Sequence, residues 1–282
     1  MVRASVWITF CSMPRNTVVD FSLTFRVIPS STSNSARLSK ENTIDFTSTS
    51  TLCGVTLSPE AASKPFANEC MKSLIDAASI EVCGDKWRTS LALVGAGLPI
   101  PRTALGLTPQ AALTALDQIG YPALIKPLTG SWGRLIVQIR DRSMAEEVLE
   151  YVKALPGPQS HLVYVQEFIA KPGRDIRAIV LGGELLGAVY RIADGIRTNV
   201  ARGASTQPCQ ESAEITKLAV AAAAATGTDI AAVDLIEDAD GRLLILEVNH
   251  RVEFSGFQQA MGDRVDVADR IAGYLIGRAE RW

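Results

Sequence analysis

The stretch Val233-Asp234-Leu235-Ile236-Glu237-Asp238-Ala239-Asp240-Gly241-Arg242-Leu243-Leu244-Ile245-Leu246-Glu247-Val248-Asn249 decides how this chain folds. Two apolar runs, Ile230 to Ile236 and Leu243 to Val248, flank Asp238-Ala239-Asp240-Gly241. Asp and Gly favour a tight reversal, so the stretch predicts a β-hairpin. Glu247 and Asn249 are two apart and project from one face of their strand. Asp234 sits in an otherwise apolar strand, where an unpaired carboxylate would be costly. Three oxygen ligands converging on one sheet face suit a hard cation such as Mg²⁺, which takes a few carboxylates plus substrate phosphates. A structural ion pair is the competing use, and for Asp234 alone it is an equal one.

Outward from this hairpin, helix and strand signals alternate from Cys83 onward. Asp85 predicts a capped helix running to about Ala96, ended by Gly97 and followed by Pro99 and Pro101. Thr108 as N-cap with Pro109 at the first helical position predicts another, ending near Gly120. Ala123 to Ile125 and Leu135 to Ile139 read as strands, Ser143 as the cap of a helix from Met144 to Ala154, and Leu162 to Ile169 as a third strand. Asp175 to Leu181 and Leu185 to Ile192 flank Gly182-Gly183, a second hairpin signal. Glu211 to Thr226 places Ile215, Leu218 and Ala222 on one helical face, and Asp263 to Arg278 closes the chain as a helix. Hairpins mixed with crossovers indicate an α+β architecture, not a simple doubly wound sheet.

Residues 1 to about 80 differ. Ser30-Ser31-Thr32-Ser33-Asn34-Ser35 and the run Thr47 to Thr51 are polar and without periodicity, and Asp20 stands alone before Glu41. Such an acid-poor, Ser-rich start resembles a transit peptide in composition but lacks a clean amphipathic helix. A divergent, partly disordered N-terminal region over residues 1–82 is the expectation. The net charge of −2 gives no reason to expect nucleic acid or an anionic membrane as partner. No apolar stretch is long enough to span a bilayer. The five cysteines form no CxxC pair and there are two histidines, which argues against zinc and against a disulfide framework and fits a reducing cytoplasm.

Several cations invite an anion. Lys86 opens a helix, against the macrodipole unless an anion is near, and Lys126 follows an apolar strand. Either lysine alone reads as well as a surface residue with a buried stem. Leu128-Thr129-Gly130-Ser131-Trp132-Gly133-Arg134 is a small-residue loop between strands that could turn its N–H groups onto phosphates, or be an ordinary hairpin loop. Arg174, Arg177, Arg191 and Arg202 offer planar guanidinium groups for carboxylates or phosphates, although Arg174 and Arg177 could be solvated edge charges. No nucleophile presents itself: Ser131 has no histidine within its motif, His161 has no paired carboxylate signature, and Cys83 lies among helix-start residues. The chain looks built to position phosphates electrostatically.

The order Gly84-Asp85-Lys86-Trp87, Ile125-Lys126-Pro127, Ser131-Trp132-Gly133-Arg134, Gln166-Glu167-Phe168, Gly173-Arg174-Asp175-Ile176-Arg177 and Glu247-Val248-Asn249-His250 resembles the ATP-grasp ligases. Within them it is most similar to the LysX group of carrier-protein ligases, and more broadly to the RimK-like glutamate ligases, over about residues 75 to 280. The resemblance implies an ATP-grasp fold of two α+β subdomains gripping ATP, over residues 83–169 and 170–282, behind a divergent or incomplete N-terminal α/β domain. It implies that Lys86 and Lys126 contact the ATP phosphates. Gln166, Glu167, Phe168 and Ile169 would form the hinge against adenine, and Gly130, Ser131, Trp132 and Gly133 would close over the phosphates. Asp234, Glu247 and Asn249 would hold two Mg²⁺ (or Mn²⁺). Arg177 and Arg191 would be catalytic, with Arg191, Asn199 and Arg202 facing the substrate.

By the same analogy, ATP phosphorylates the C-terminal glutamate side chain of a small acidic LysW-like carrier protein. The α-amino group of 2-aminoadipate (or glutamate, in arginine-making relatives) then attacks to give an isopeptide bond; a RimK-like glutamate ligase on another substrate and a non-catalytic ATP-binding protein are the alternatives. A homo-oligomer is implied as well. Replacing Asp234 or Glu247 with alanine is expected to abolish turnover and leave the fold largely intact.

Overall fold

The computed structural model describes residues 7–10, 19–22, 77–130, 135–193, 205–210 and 212–279. The chain divides into two compact units, Met1–Met71 and Lys72–Trp282. In the first, β1 (Trp7–Phe10) pairs antiparallel with β2 (Val19–Ser22). The expected disorder of residues 1–82 otherwise falls mostly outside the described residues.

The second unit begins with α1 (Ala77–Gly84), which was not foreseen, and α2 (Lys86–Gly95). Asp85 caps α2 as expected, its carboxylate accepting from the Trp87 and Arg88 amides that have no partner within the helix. A four-stranded sheet follows in the order β3 (Thr103–Gly106), β6 (Val163–Glu167), β4 (Ala123–Lys126), β5 (Val137–Ile139). It is covered by α3 (Pro109–Ile119), capped by Thr108, and α4 (Arg142–Ala154). Gly106 lies so close to Ala112 of α3 that a Cβ there would come within 2.6 Å of it, so only glycine allows this approach.

Two local expectations shift. The α4 cap is Asp141, whose side chain accepts from Met144 N. Ser143 falls inside the first turn, because both side chains suit the role and the helix starts at Arg142, two residues before the expected Met144. Leu135 stands outside β5, exposed and with φ 58°, a left-handed conformation that interrupts extended backbone.

The larger sheet runs β11 (Leu243–Asn249), β10 (Ile230–Glu237), β7 (Arg174–Leu181), β8 (Glu184–Ile192), β9 (Ser205–Pro208), all antiparallel. Gly182 and Gly183, both at positive φ, close the β7–β8 hairpin as a reversal of this twist requires. One face packs on α5 (Ala213–Ala225), whose Ala219, Ala222 and Ala223 are small enough to bring the helix close. Ile176, Ala178, Val180, Val233, Leu235, Ile245 and Val248 fill this core. Burying an aliphatic chain of Val or Ile size contributes roughly 1.5–3 kcal/mol. Leu93 of α2 joins the same core, so α2 belongs with the larger sheet as much as with the smaller one to which a boundary at residue 83 assigns it.

The closing helix expected over Asp263 to Arg278 is a 3-10 turn followed by an α-helix that begins at Val267. An unforeseen α6 (Ser255–Met261) and a 3-10 turn (Gly262–Arg264) precede α7 (Val267–Ala279). Gly262 at φ 55° and extended Val265 separate them, which a periodicity of apolar residues running through the break conceals.

Candidate active site

The open face of the larger sheet is charged, and two bulges make it so. Tight pairing up from the Asp238–Gly241 turn matches Leu235 with Ile245, and strict continuation would put Leu246 opposite Asp234. The register shifts there, and Glu247 faces Asp234, Val248 faces Val233 and Asn249 faces Ala232. An inserted residue reverses which face each later side chain occupies. Leu243 and Ile245 therefore enter the core while Glu247 and Asn249 join Asp234 on the other side. A matching shift between Ile179 and Val180 of β7 brings Arg191 opposite Asp175 and Val189 opposite Arg177.

These charges interlock. Arg177 Nε and Nη2 donate to the two oxygens of Asp234 at 2.9 and 3.0 Å, and Arg191 Nη2 lies 3.1 Å from Asp234 Oδ2. Arg191 Nε donates to Asp175 Oδ1 at 2.6 Å, and Lys171 Nζ to Asp175 Oδ2 at 3.2 Å. Asp234 is only 5% exposed, and Asp175 and Arg191 are buried too. Burial pushes the Asp234 carboxyl up, but the charges of Arg177 and Arg191 outweigh it and hold the group below the usual carboxylate range. Burial likewise opposes the charge of Arg191, and Asp234 and Asp175 more than restore it.

Beside this cluster stand the two lysines. Lys86 Nζ lies 3.3 Å from Glu247 Oε1 and donates to the Gly130 carbonyl at 2.9 Å, while its amide donates to Leu128 O. The start of α2 thus anchors the loop leading to residues 131–134. Lys126 keeps part of its surface exposed, yet its ammonium sits deep among protein atoms. Burial pushes it down to about 8, opposed by Glu247 and reinforced by Lys86 and Lys171. Lys86, Lys126, Lys171, Arg177 and Arg191 outnumber Asp175, Asp234 and Glu247. A face with surplus positive charge suits a polyanion such as a triphosphate.

The donor set also fits Mg²⁺. Asp234, Glu247 and Asn249 offer oxygens alone, as a hard cation prefers. Asp234 has about four acceptor positions, and three contacts to Arg177 and Arg191 leave one for a cation without displacing either arginine. Among the described residues there is no cluster of three His, Cys, Asp or Glu side chains that could hold a metal, so the amide of Asn249 is needed to complete the set.

Of the expected hinge, Gln166 turns its side chain inward, 2% exposed, and accepts from Lys126 Nζ at 2.5 Å. Glu167 is tied to Arg102 by contacts of 3.0 and 3.2 Å, which hold its carboxyl below the usual range. Phe168 and Ile169 are half-buried beyond them. Ser131, Trp132, Gly133, Asn199 and Arg202 lie outside the described residues. Sequence reasoning missed Asp175, Lys171, Arg102, Tyr164 and Ser90 as supports of the site. For Asp175 a signal existed: it lies two residues from Arg177, the same spacing that linked Glu247 to Asn249.

Residues 83–275 match the RimK-like ATP-grasp domain family. The glutamate–LysW ligase ArgX of Sulfolobus acidocaldarius is 33% identical over 199 residues, 70% of each chain. The tetrahydromethanopterin:α-L-glutamate ligase of Methanosarcina acetivorans is 34% identical, covering 70% of this chain and 68% of that one. A RimK domain ATP-grasp protein of Sphaerobacter thermophilus superposes with a TM-score of 0.57 at 28% identity, over 71% of this chain and 70% of that one. The ATP-grasp ligase PsnB, solved with a precursor peptide and AMPPNP, shares the fold at 22% identity and TM-score 0.57, over 72% of this chain and 61% of that one. The mixed α+β fold, the charged sheet face and these matches agree: the chain belongs to the RimK-like ATP-grasp family and is an acid–amino-acid ligase.

Proposed function

We propose that this chain uses ATP to join the side-chain carboxylate of a C-terminal glutamate, on a small acidic LysW-like carrier protein, to the α-amino group of 2-aminoadipate or glutamate. The observation that carries it is Asp234, in register with Glu247 and clasped by Arg177 and Arg191, next to Lys86 and Lys126. ATP would lie with its phosphates against the two lysines and under the loop from Gly130 to Gly133, and its adenine near Phe168 and Ile169. Mg²⁺, two ions by family analogy, would be held by Asp234, Glu247 and Asn249 and would neutralise phosphate charge.

The acceptor carboxylate attacks the γ-phosphorus, ADP leaves, and an acyl phosphate forms. The amine then attacks the carbonyl carbon, phosphate leaves, the amine gives up a proton, and an amide remains. A guanidinium carries five N–H donors. Arg177 and Arg191 spend two each on the carboxylates described, so each keeps donors for the acyl phosphate and the oxyanion that develops at its carbonyl. Asn199 and Arg202 would face the amino acid.

The relatives named as LysW ligases, 29–34% identical, support the carrier-protein substrate. The 34% identity to a tetrahydromethanopterin:glutamate ligase favours a second reading, in which a different acceptor receives glutamate. Mass spectrometry of a LysW-type protein incubated with the chain, ATP, Mg²⁺ and both amino acids tests the first. A mass increase by one residue of either amino acid is expected. ADP release with an unmodified carrier protein would overturn the carrier reading and leave the second.

A further inference from the structure

We propose that Tyr164 is a positioning residue that ties the Lys126 ammonium to the backbone of Lys86 through one directional run of buried hydrogen bonds, so that the Lys126 ammonium is placed relative to the start of α2, which carries Lys86. The proposal rests on the assignment of these two lysines to the ATP phosphates.

The direction of the run follows from its two ends, an ammonium that only donates and a carbonyl that only accepts. A lysine ammonium donates and cannot accept, so the group 2.5 Å from Lys126 Nζ must be the amide oxygen of Gln166. The amide nitrogen then points away and donates to Tyr164 Oη at 3.1 Å. Across the 2.9 Å contact with Ser90 Oγ the phenol is the donor, because the one Ser90 proton is taken by a carbonyl, which can only accept. Ser90 Oγ, having accepted, donates to the carbonyl of Lys86 at 2.8 Å. Thr103 also hydrogen-bonds the phenol, whose oxygen has room to accept a second bond, so no link conflicts with another. Burial pushes the Tyr164 phenol up, so it keeps the proton it must give.

The run crosses from the smaller sheet to α2. Lys126 and Gln166 belong to β4 and β6 of the smaller sheet, and Ser90 and Lys86 to α2, which packs on the larger. Tyr164, Gln166 and Ser90 are 1%, 2% and 7% exposed, so water cannot replace a missing member. At the far end, Lys86 holds Gly130 and faces Glu247. Loss of the Tyr164 hydroxyl leaves the Gln166 amide nitrogen without this acceptor and takes from Ser90 the donor across the 2.9 Å contact, while the bond from Ser90 to Lys86 O remains. The amide is then free to turn, and Lys126 loses its fixed place relative to Lys86.

The test compares ATP with adenosine, which lacks the phosphates, by titration calorimetry on the full chain. Tyr164→Phe keeps the ring and removes the hydroxyl. ATP affinity is expected to fall about tenfold while adenosine affinity stays as in the unaltered chain. The Tyr164→Phe effect should shrink in a Lys126→Met background, because the two changes act through one run. Ser90→Ala breaks the run at its last side chain and should show the same selectivity for ATP, which keeps the test available if Tyr164→Phe folds poorly. Unchanged ATP affinity in both variants, or equal loss of ATP and adenosine, overturns the coupling. If Lys126→Met and Lys86→Met both bind ATP normally, the phosphate assignment itself is wrong, and the coupling falls with it for a reason seen separately.

Discussion

Arg177 of β7 and Asp234 of β10 stand directly opposite each other and share two parallel hydrogen bonds of 2.9 and 3.0 Å. Since Arg191 approaches the same carboxylate at 3.1 Å, Asp234 is the counter-ion of two arginines as well as a candidate magnesium ligand.

Asp234→Ala would leave the Arg177 and Arg191 charges short of their shared partner, and breaking a buried pair costs about 3–5 kcal/mol. The variant is expected to be inactive and also markedly less stable, unlike the intact fold expected from sequence. Urea denaturation decides it; a loss under about 1 kcal/mol would contradict the role of counter-ion.

The same carboxylate sets an acid limit. Its folded pKa lies below the unfolded value of about 3.9, so its stabilisation is fully present above that value and is lost as pH falls through the lower folded one. Urea midpoints measured from about pH 6 to pH 2 should fall more steeply for the unaltered chain than for Asp234→Asn.

Glu247 separates metal binding from stability. Its side chain is 31% exposed and meets Lys86 at 3.3 Å, a pair worth about 0–1 kcal/mol. Glu247→Gln is expected to melt within a few degrees of the unaltered chain and to lose turnover about 100-fold or more. ADP release beside a thermal melt tests both, and near-normal turnover would remove Glu247 from the site.

Lys126, pushed down to about 8 chiefly by burial, should make ATP binding pH-dependent. Phosphates favour its charged form, so ATP affinity should fall as pH rises above about 8 and binding should take up a proton there. For folding, the unfolded lysine titrates near 10.4. The cost of burying its charge is therefore full below pH 8 and eases between about 8 and 10.4, so this group alone makes stability rise across that window. Calorimetry in two buffers of different ionisation enthalpy reads the proton uptake, which should vanish in Lys126→Met.

Arg174 sits three residues from Arg177 and so on the opposite face, 4.1 Å over the Tyr190 ring and bonded to Glu237 at 3.0 Å. Arg174→Ala is expected to lose about 1 kcal/mol with turnover unchanged. A large loss of turnover would mean that this face also serves the chemistry.

Helix caps at Asp85 and Thr108, the Gly182-Gly183 reversal and the hairpin around Asp238–Gly241 were legible because each is decided within a few residues. Strand β9 was not: Ser205–Pro208 is short and polar, and becomes a strand only by pairing with β8. The arginines were visible as candidates, but Arg174 and Arg177 could not be separated without knowing which face is covered by α5.

By itself, then, the sequence determined the chemistry available: oxygen donors spaced for one strand face, cations without obvious partners, no nucleophile, and local signals for α+β hairpins. Tertiary structure alone decided where those groups meet. The shift beside Leu246 turns Glu247 away from the core face shared by Leu243 and Ile245, and the matching shift in the β7–β8 hairpin brings Arg191 opposite Asp175. Strand side chains alternate with a period of two, so one inserted residue reverses everything beyond it. Lys86 and Glu247, like Tyr164 and Ser90, come together only through the packing of α2 between the sheets, across separations that no local pattern spans.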